Sequence, residues 1–206
     1  SSAASDVYKR QLLIINMIYL ICTMQWLQVL IVASVLLVSF LPEALKFTTG
    51  VELTKFMNYF FIVFVLLSQW CGTYLRAYDV ISWWDLFLHG LSAFVVGLGG
   101  LVILRLCDPE IMTFKNQKYG LISIIIFLTI SSSAVFWEIF EFVGDTFFGT
   151  NAQLGSLRDT MEDMLICVII GIIFSFWIYR SLRKGKNNFV TKQMNEFMLL
   201  NKDKAK

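Results

Sequence analysis

The segment W-W-D-L-F-L-H sets Asp85 and His89 four residues apart, so on a helix both side chains leave from one face. Farther along, F-W-E-I-F-E-F-V-G-D places Glu138, Glu141 and Asp145 at i, i+3 and i+7, again on one helical face. D-T-M-E-D then puts Asp159 and Asp163 one turn apart, with Glu162 beside them. Oxygen donors with one imidazole suit a divalent cation and leave Zn, Mn, Fe and Mg as the choices; a carboxylate outside the ligand set can serve as a general base. The spacing assigns Asp85, His89, Glu138 and Asp163 to a metal and Glu141, Asp145 and Asp159 to catalysis. Asn151 and Gln153, in the loop between the two acidic helices, are assigned to substrate binding.

Simpler readings stand beside these. Asp159 equally suits the first turn of a helix, where free N–H groups favour an anion, and His89 equally suits a hydrogen-bonded packing position. Gly90, Ala93, Gly97 and Gly100 are close-packing positions for a neighbouring helix, and Trp70, Trp83, Trp84 and Trp137 are interfacial anchors. Glu138 and Glu141 resist a bland reading, because a carboxylate within hydrocarbon costs about 2.5–3.5 kcal/mol unless it is partnered or faces a polar interior. The acids meet only His89 and the loop cations Arg76 and Arg158. Protons or a bound cation must make up the balance.

The elements that carry these groups follow from composition. The chain is 57% hydrophobic and 16% charged, with a mean hydropathy of +0.69, which is too apolar for an ordinary soluble domain. An all-α, polytopic transmembrane bundle of about six spans is expected, since crossing hydrocarbon takes about 20 helical residues. The full spans fall at roughly 26–41, 56–75, 84–104, 119–145 and 161–179, with Pro42 ending the first of them and a polar connector Glu43 to Lys55 following. Residues 1–11 (SSAASDVYKRQ) read as translated adapter sequence, a non-native leader, which makes Leu12 to Met24 the end of a truncated first span. The transmembrane domain is then 12–180, and 181–206 is a basic tail, either a surface helix or disordered.

Lys46, Lys55, Arg105, Lys115, Lys118 and the tail cations fall on one side of the membrane, against Arg76 and Arg158 on the other. Basic loops stay cytoplasmic, so both termini are expected inside and the acidic ends outside, in a multi-pass protein of the cell membrane. The tail suits anionic membrane lipids rather than nucleic acid. The four cysteines show no CxxC spacing and read as small apolar residues. There is no Gly-rich phosphate loop, HExxH or GxSxG, and one histidine cannot build a His-rich iron site.

W-D-x-x-x-H, W-E-x-x-E-x-x-x-D, the G-T-N-x-Q loop and D-T-x-x-D together resemble the YjdF-like family of bacterial inner-membrane proteins, a domain of unknown function, over about residues 26 to 180. The resemblance implies a six-span fold of the bacterial inner membrane and supplies no activity. Gly72-Thr73 departs from the Gly-Glu pair expected in relatives. The leading functional reading is a metal-dependent enzyme acting at the outer interface on a lipid or lipid-linked substrate. The alternatives are a proton- or cation-coupled transporter and a non-catalytic protein with a structural polar core.

Overall fold

The computed structural model describes residues 2–22, 24, 29, 32–33, 36–37, 39–107, 118–149, 151–153, 155–184 and 189–201. Among them every regular element is helical: α1 (Ser2–Cys22), α2 (Leu41–Thr49), α3 (Lys55–Val65, running on as a π-helix over Leu66–Tyr74), α4 (Ala77–Val80), α5 (Trp84–Cys107), α6 (Tyr119–Phe148), α7 (Leu157–Arg183) and α8 (Phe189–Leu200). Four stretches are long and apolar enough to cross a membrane, namely Lys55–Tyr74, Trp84–Leu101, Tyr119–Phe148 and Leu157–Arg183. These account for the last four of the expected spans. The 12–24 remnant lies largely within α1, where Asp6, Lys9 and Arg10 make the helix as a whole too polar to count, and half of 26–41 lies outside the described residues.

Pro42 was expected to end the 26–41 span, part of which lies outside the described residues. It sits in the first turn of α2, where its missing N–H has no intrahelical partner to lose. Arg10 of α1 donates to the Ser39 carbonyl at 2.9 Å and lies over the Phe40 ring at 3.9 Å.

Helices α5, α6 and α7 form the centre of the bundle. On α6 the buried stripe is Ile122, Ile126, Ile130, Ala134 and Glu138, one residue every four. On α7 it runs Asp163, Cys167, Gly171, Phe174, Ile178 and Leu182. On α5, His89, Ala93, Gly97 and Leu101 repeat the spacing. Each stripe is largely apolar and ionisable at one end, at the last position on α6 and at the first on α5 and α7, and the contacts described below put those three positions at one end of the bundle. The outward face of α6, with Phe136, Phe140 and Phe142 exposed, is suited to lipid.

Without a hydrophobic drive between helices in lipid, close packing holds such helices together. Gly97 and Gly171 supply it: a methyl group on Gly97 would come within 2.5 Å of the Phe174 ring, and one on Gly171 within 3.2 Å of Ile130. Gly100 similarly lies against Ile126. These contacts make the close-packing role expected for Gly97 and Gly100.

The tail is a helix in part, and that helix is docked. Phe197 of α8 is fully buried, and Phe189 stacks on Trp177 and meets Phe56 edge-on. Gln193 accepts a hydrogen bond from the Thr54 hydroxyl at 2.9 Å, while that same Thr54 oxygen caps α3 by accepting from the Met57 N–H. The Asn201 amide pairs with both backbone groups of Glu52, accepting at 2.8 Å and donating at 3.0 Å.

Candidate metal centre

Helix α6 spans 30 residues, about 45 Å at 1.5 Å per residue, against a hydrocarbon thickness of about 30 Å. The helix is therefore long enough for an end to reach the interface. Gly149, with φ 67°, stops the helix in the left-handed conformation and donates its N–H to the Gly144 carbonyl. The chain then folds back over the helix end, because the Asp145 carboxylate accepts the backbone N–H groups of Ala152 at 2.8 Å and Gln153 at 3.0 Å. That fold-back places the Gln153 amide 3.3 Å from both the carbonyl oxygen and the Oε2 of Glu138, to which it donates. Asp145 thus orders the loop, the loop places Gln153, and Gln153 steadies one oxygen of Glu138.

Helix α7 begins where Ser156 accepts the Asp159 N–H. Asp159 is therefore a first-turn residue rather than the cap, and it lies within electrostatic reach of Asp85 and His89. One turn deeper, Asp163 is buried opposite His89.

Two groups of donors meet at this end: Asp85, His89 and Asp163, and His89, Glu138 and Glu141, with the ligand atoms of each group within 4.8 Å of one another. His89 belongs to both. Its Nε2 is 3.7 Å from Asp85 Oδ1 and 3.8 Å from Asp163 Oδ2, too far for good hydrogen bonds. Two ligands each about 2.0–2.2 Å from one cation stand at most about 4 Å apart, so the same gaps suit a shared ion. His89 is fixed from behind, since its carbonyl accepts the Ser92 hydroxyl at 2.8 Å and the Cys167 thiol at 3.3 Å. Glu141 accepts the Trp137 indole N–H at 2.8 Å, which gives Trp137 a role beyond anchoring.

Charge balance tightens around these residues. Arg158 pairs with Glu162 at 2.6 Å and Arg76 with Asp79 at 2.7 Å, in both cases at exposed positions. The two loop cations expected to offset the acids are thereby committed elsewhere, and Glu162 leaves the cluster. Among the described residues, His89 is the only basic group in either set of donors. Glu138 is 5% exposed and its Oε1 is buried without a hydrogen-bond partner; the Trp84 indole N–H at the same end is also buried and unpartnered. A buried, unmatched carboxylate oxygen is costly in a native protein unless an ion, a proton or a ligand completes it.

The site residues read from the sequence thus divide. Asp85, His89, Glu138, Glu141 and Asp163 converge; Asp145 holds the loop; Gln153 touches Glu138; Asn151 is exposed. Tyr78, on α4, was missed. Its phenol lies near Ser68 of the π-helical stretch and within electrostatic reach of Asp85 and Glu141; desolvation pushes it up to about 12, so it remains a proton donor. Gly72 is buried beneath the Tyr78 ring, leaving no room for a side chain. A π-helical segment beside an acidic cluster is a recurrent mark of a functional site. The sequence signal was faint, one tyrosine in a short link following a helical glycine.

Chemistry alone takes the centre no further, and comparison with known proteins adds the family. A family model described as predicted membrane protein (DUF2238) matches residues 7–184, and the chain belongs to that family. No curated protein and no solved structure matches it. The family and the four apolar helices establish a membrane protein.

Proposed function

For this member of a membrane-protein family, we propose that the bundle end binds a divalent cation and performs metal-dependent chemistry there on a lipid or lipid-linked substrate. The observation that carries the reading is the convergence of two donor triads on His89, with a neighbouring carboxylate oxygen buried and unpartnered. Asp85, His89, Glu138 and Asp163 would hold the ion. Bound there, a divalent cation supplies Lewis acidity and lowers the proton affinity of bound water. Zn, Mn, Fe and Mg all match oxygen donors with one imidazole.

Glu141, half-buried and oriented by Trp137, is placed to take a proton as general base. Tyr78 can donate one hydrogen bond at the mouth of the site. Asp145 acts at a distance by fixing the loop that carries Gln153. Asp159 adds negative charge one turn above Asp163, which favours the cation. The α6–α7 loop is assigned to the extracytoplasmic side, on the distribution of Lys and Arg.

A cation-coupled carrier would use the same acids but needs a polar route through the rest of the bundle. Below the cluster the buried stripes turn to Ile130, Ala134, Cys167 and Phe174, which supports chemistry at one end over passage through it. The test is metal content by mass spectrometry on detergent-purified protein, with Glu138→Gln and His89→Ala compared at equal foldedness. Near-stoichiometric metal in the parent, lost in both variants, is the expected result. A folded parent without metal after incubation with each candidate ion would sink the proposal.

A further inference from the structure

Beside the metal donors, a groove of about 630 Å³ runs between α6, α7 and the loop that joins them. Its polar lining is Glu138, which is buried, with half-buried Asp145, Gln153 and Thr160 and exposed Thr146. Its wall is Val135, Ile139 and Phe142 of α6 and Met164 of α7. Val135, Ile139 and Phe142 are exposed on a membrane-spanning helix, so they face acyl chains rather than water. The groove is thus apolar where it meets lipid and polar around Glu138, and Glu138 joins it to the cation donors.

The lining settles the sign of what fits. It holds two carboxylates and no Lys or Arg, and the neighbouring Arg158 is paired with Glu162. A phosphate or carboxylate headgroup would face Glu138 and Asp145 with no Lys or Arg to pair with, and the two charges of an ion at the neighbouring donors are outnumbered by the carboxylates of Asp85, Glu138, Asp145 and Asp163. Both Asp145 oxygens accept loop N–H groups and Oε2 of Glu138 accepts from Gln153, whereas Oε1 of Glu138 is buried without a donor. Ligand sites for molecules of modest size occupy about 300–1,000 Å³, enough here for a headgroup and the upper part of one chain.

We infer that this groove admits, sideways from the membrane, a neutral amphiphile of the glycosyl-diacylglycerol or diacylglycerol type, whose headgroup hydroxyl donates to Glu138. The inference rests on the proposed cation site for what the ligand is brought to, and on the groove alone for the ligand's class. An uncharged hydroxyl can approach the acidic lining without a counter-charge, and its chain continues along Ile139 and Phe142 into the lipid.

The full chain would be placed in phosphatidylcholine nanodiscs containing a photoactivatable diacylglycerol, and the labelled peptides mapped by mass spectrometry. Labelling is expected within residues 135–146 and 157–164 and is displaced by glucosyl-diacylglycerol, not by phosphatidylglycerol. Ile139→Trp fills the groove from its exposed wall and should cut labelling roughly tenfold or more, as a loss of about 1.4 kcal/mol does. Labelling spread evenly over the lipid-facing helices, unchanged in Ile139→Trp, or displaced equally by phosphatidylglycerol would overturn the inference. Metal content of the same samples separates the two readings. Metal retained without groove labelling sinks the groove alone, and groove labelling on a metal-free parent sinks the cation site alone.

Discussion

Two groups of polar side chains are buried at different places in this bundle, and they are built differently. Where α8 docks, Thr54, Gln193 and Asn201 meet their partners at 2.7–3.0 Å. Where α5 and α7 present His89, Asp85 and Asp163, the carboxylates stand 3.7–3.8 Å from the imidazole, and on α6 one Glu138 oxygen has no hydrogen-bond partner. Fully paired polar groups fasten one element to another; facing, unmatched donors of like charge cost stability and are kept where something else completes them. The first group fastens α8 to the bundle; the second is left incompletely paired.

The sharpest way to break that contrast is to remove a donor. His89→Ala and Asp163→Asn should each weaken cation affinity by more than the roughly 10–100-fold that loss of a supporting residue costs. Without metal, the melting temperature of Asp163→Asn should hold or rise, because a buried like charge is gone; a large fall would mark Asp163 as structural. Acidification should have the same direction of effect on metal content. Imidazole and carboxylates bind a cation only when deprotonated, so occupancy should decline between about pH 7 and pH 4.

The opposite pattern is expected at the docked helix. Asn201→Ala leaves the Glu52 N–H and carbonyl without the amide that pairs with them, at a cost of about 1–3 kcal/mol. Thermal unfolding in detergent should show the loss while metal content stays at the parent level. Gly97→Ala should cost a similar 1–3 kcal/mol or so by overpacking against Phe174. Gly99→Ala, with nothing within 4 Å of the added methyl, should stay within about 0.5 kcal/mol of the parent. If the two glycine variants melt alike, the packing account of α5 fails.

The smallest effect sharpens the comparison at its edge. Gln153 reaches Glu138 through long hydrogen bonds of 3.3 Å, so Gln153→Ala should reduce cation affinity by about tenfold, the low end for a supporting residue. No change in a titration with the metal would show that the loop does not support Glu138.

Much of this was legible along the chain. Apolar runs of helical length located α3, α5, α6 and α7, since hydrocarbon imposes about 20 residues on any helix that crosses it. The i, i+4 relation of Asp85 and His89 needed nothing but helical pitch. The local ion pairs Arg76–Asp79 and Arg158–Glu162, at i+3 and i+4, were open to the same reasoning, and reading them would have removed Glu162 from the cluster. Helix α8 was harder to see, because its buried positions Gln193 and Phe197 include an amide, which blurs the apolar period. Asp145 read as a catalytic acid because spacing cannot show that a loop returns its N–H groups to a carboxylate seven and eight residues earlier.

The sequence by itself determined that this is an all-helical membrane protein and that its ionisable groups lie toward shared ends of its last three spans. Helical pitch and the cost of charge in hydrocarbon are local rules, readable one segment at a time. Only the tertiary structure decided that Asp163 rather than Asp159 stands against His89, and that Glu138 faces both His89 and a lateral groove. These outcomes depend on the rotation and depth of one helix against another, set by contacts such as Gly97 against Phe174 and Gly171 against Ile130, and no single segment encodes them.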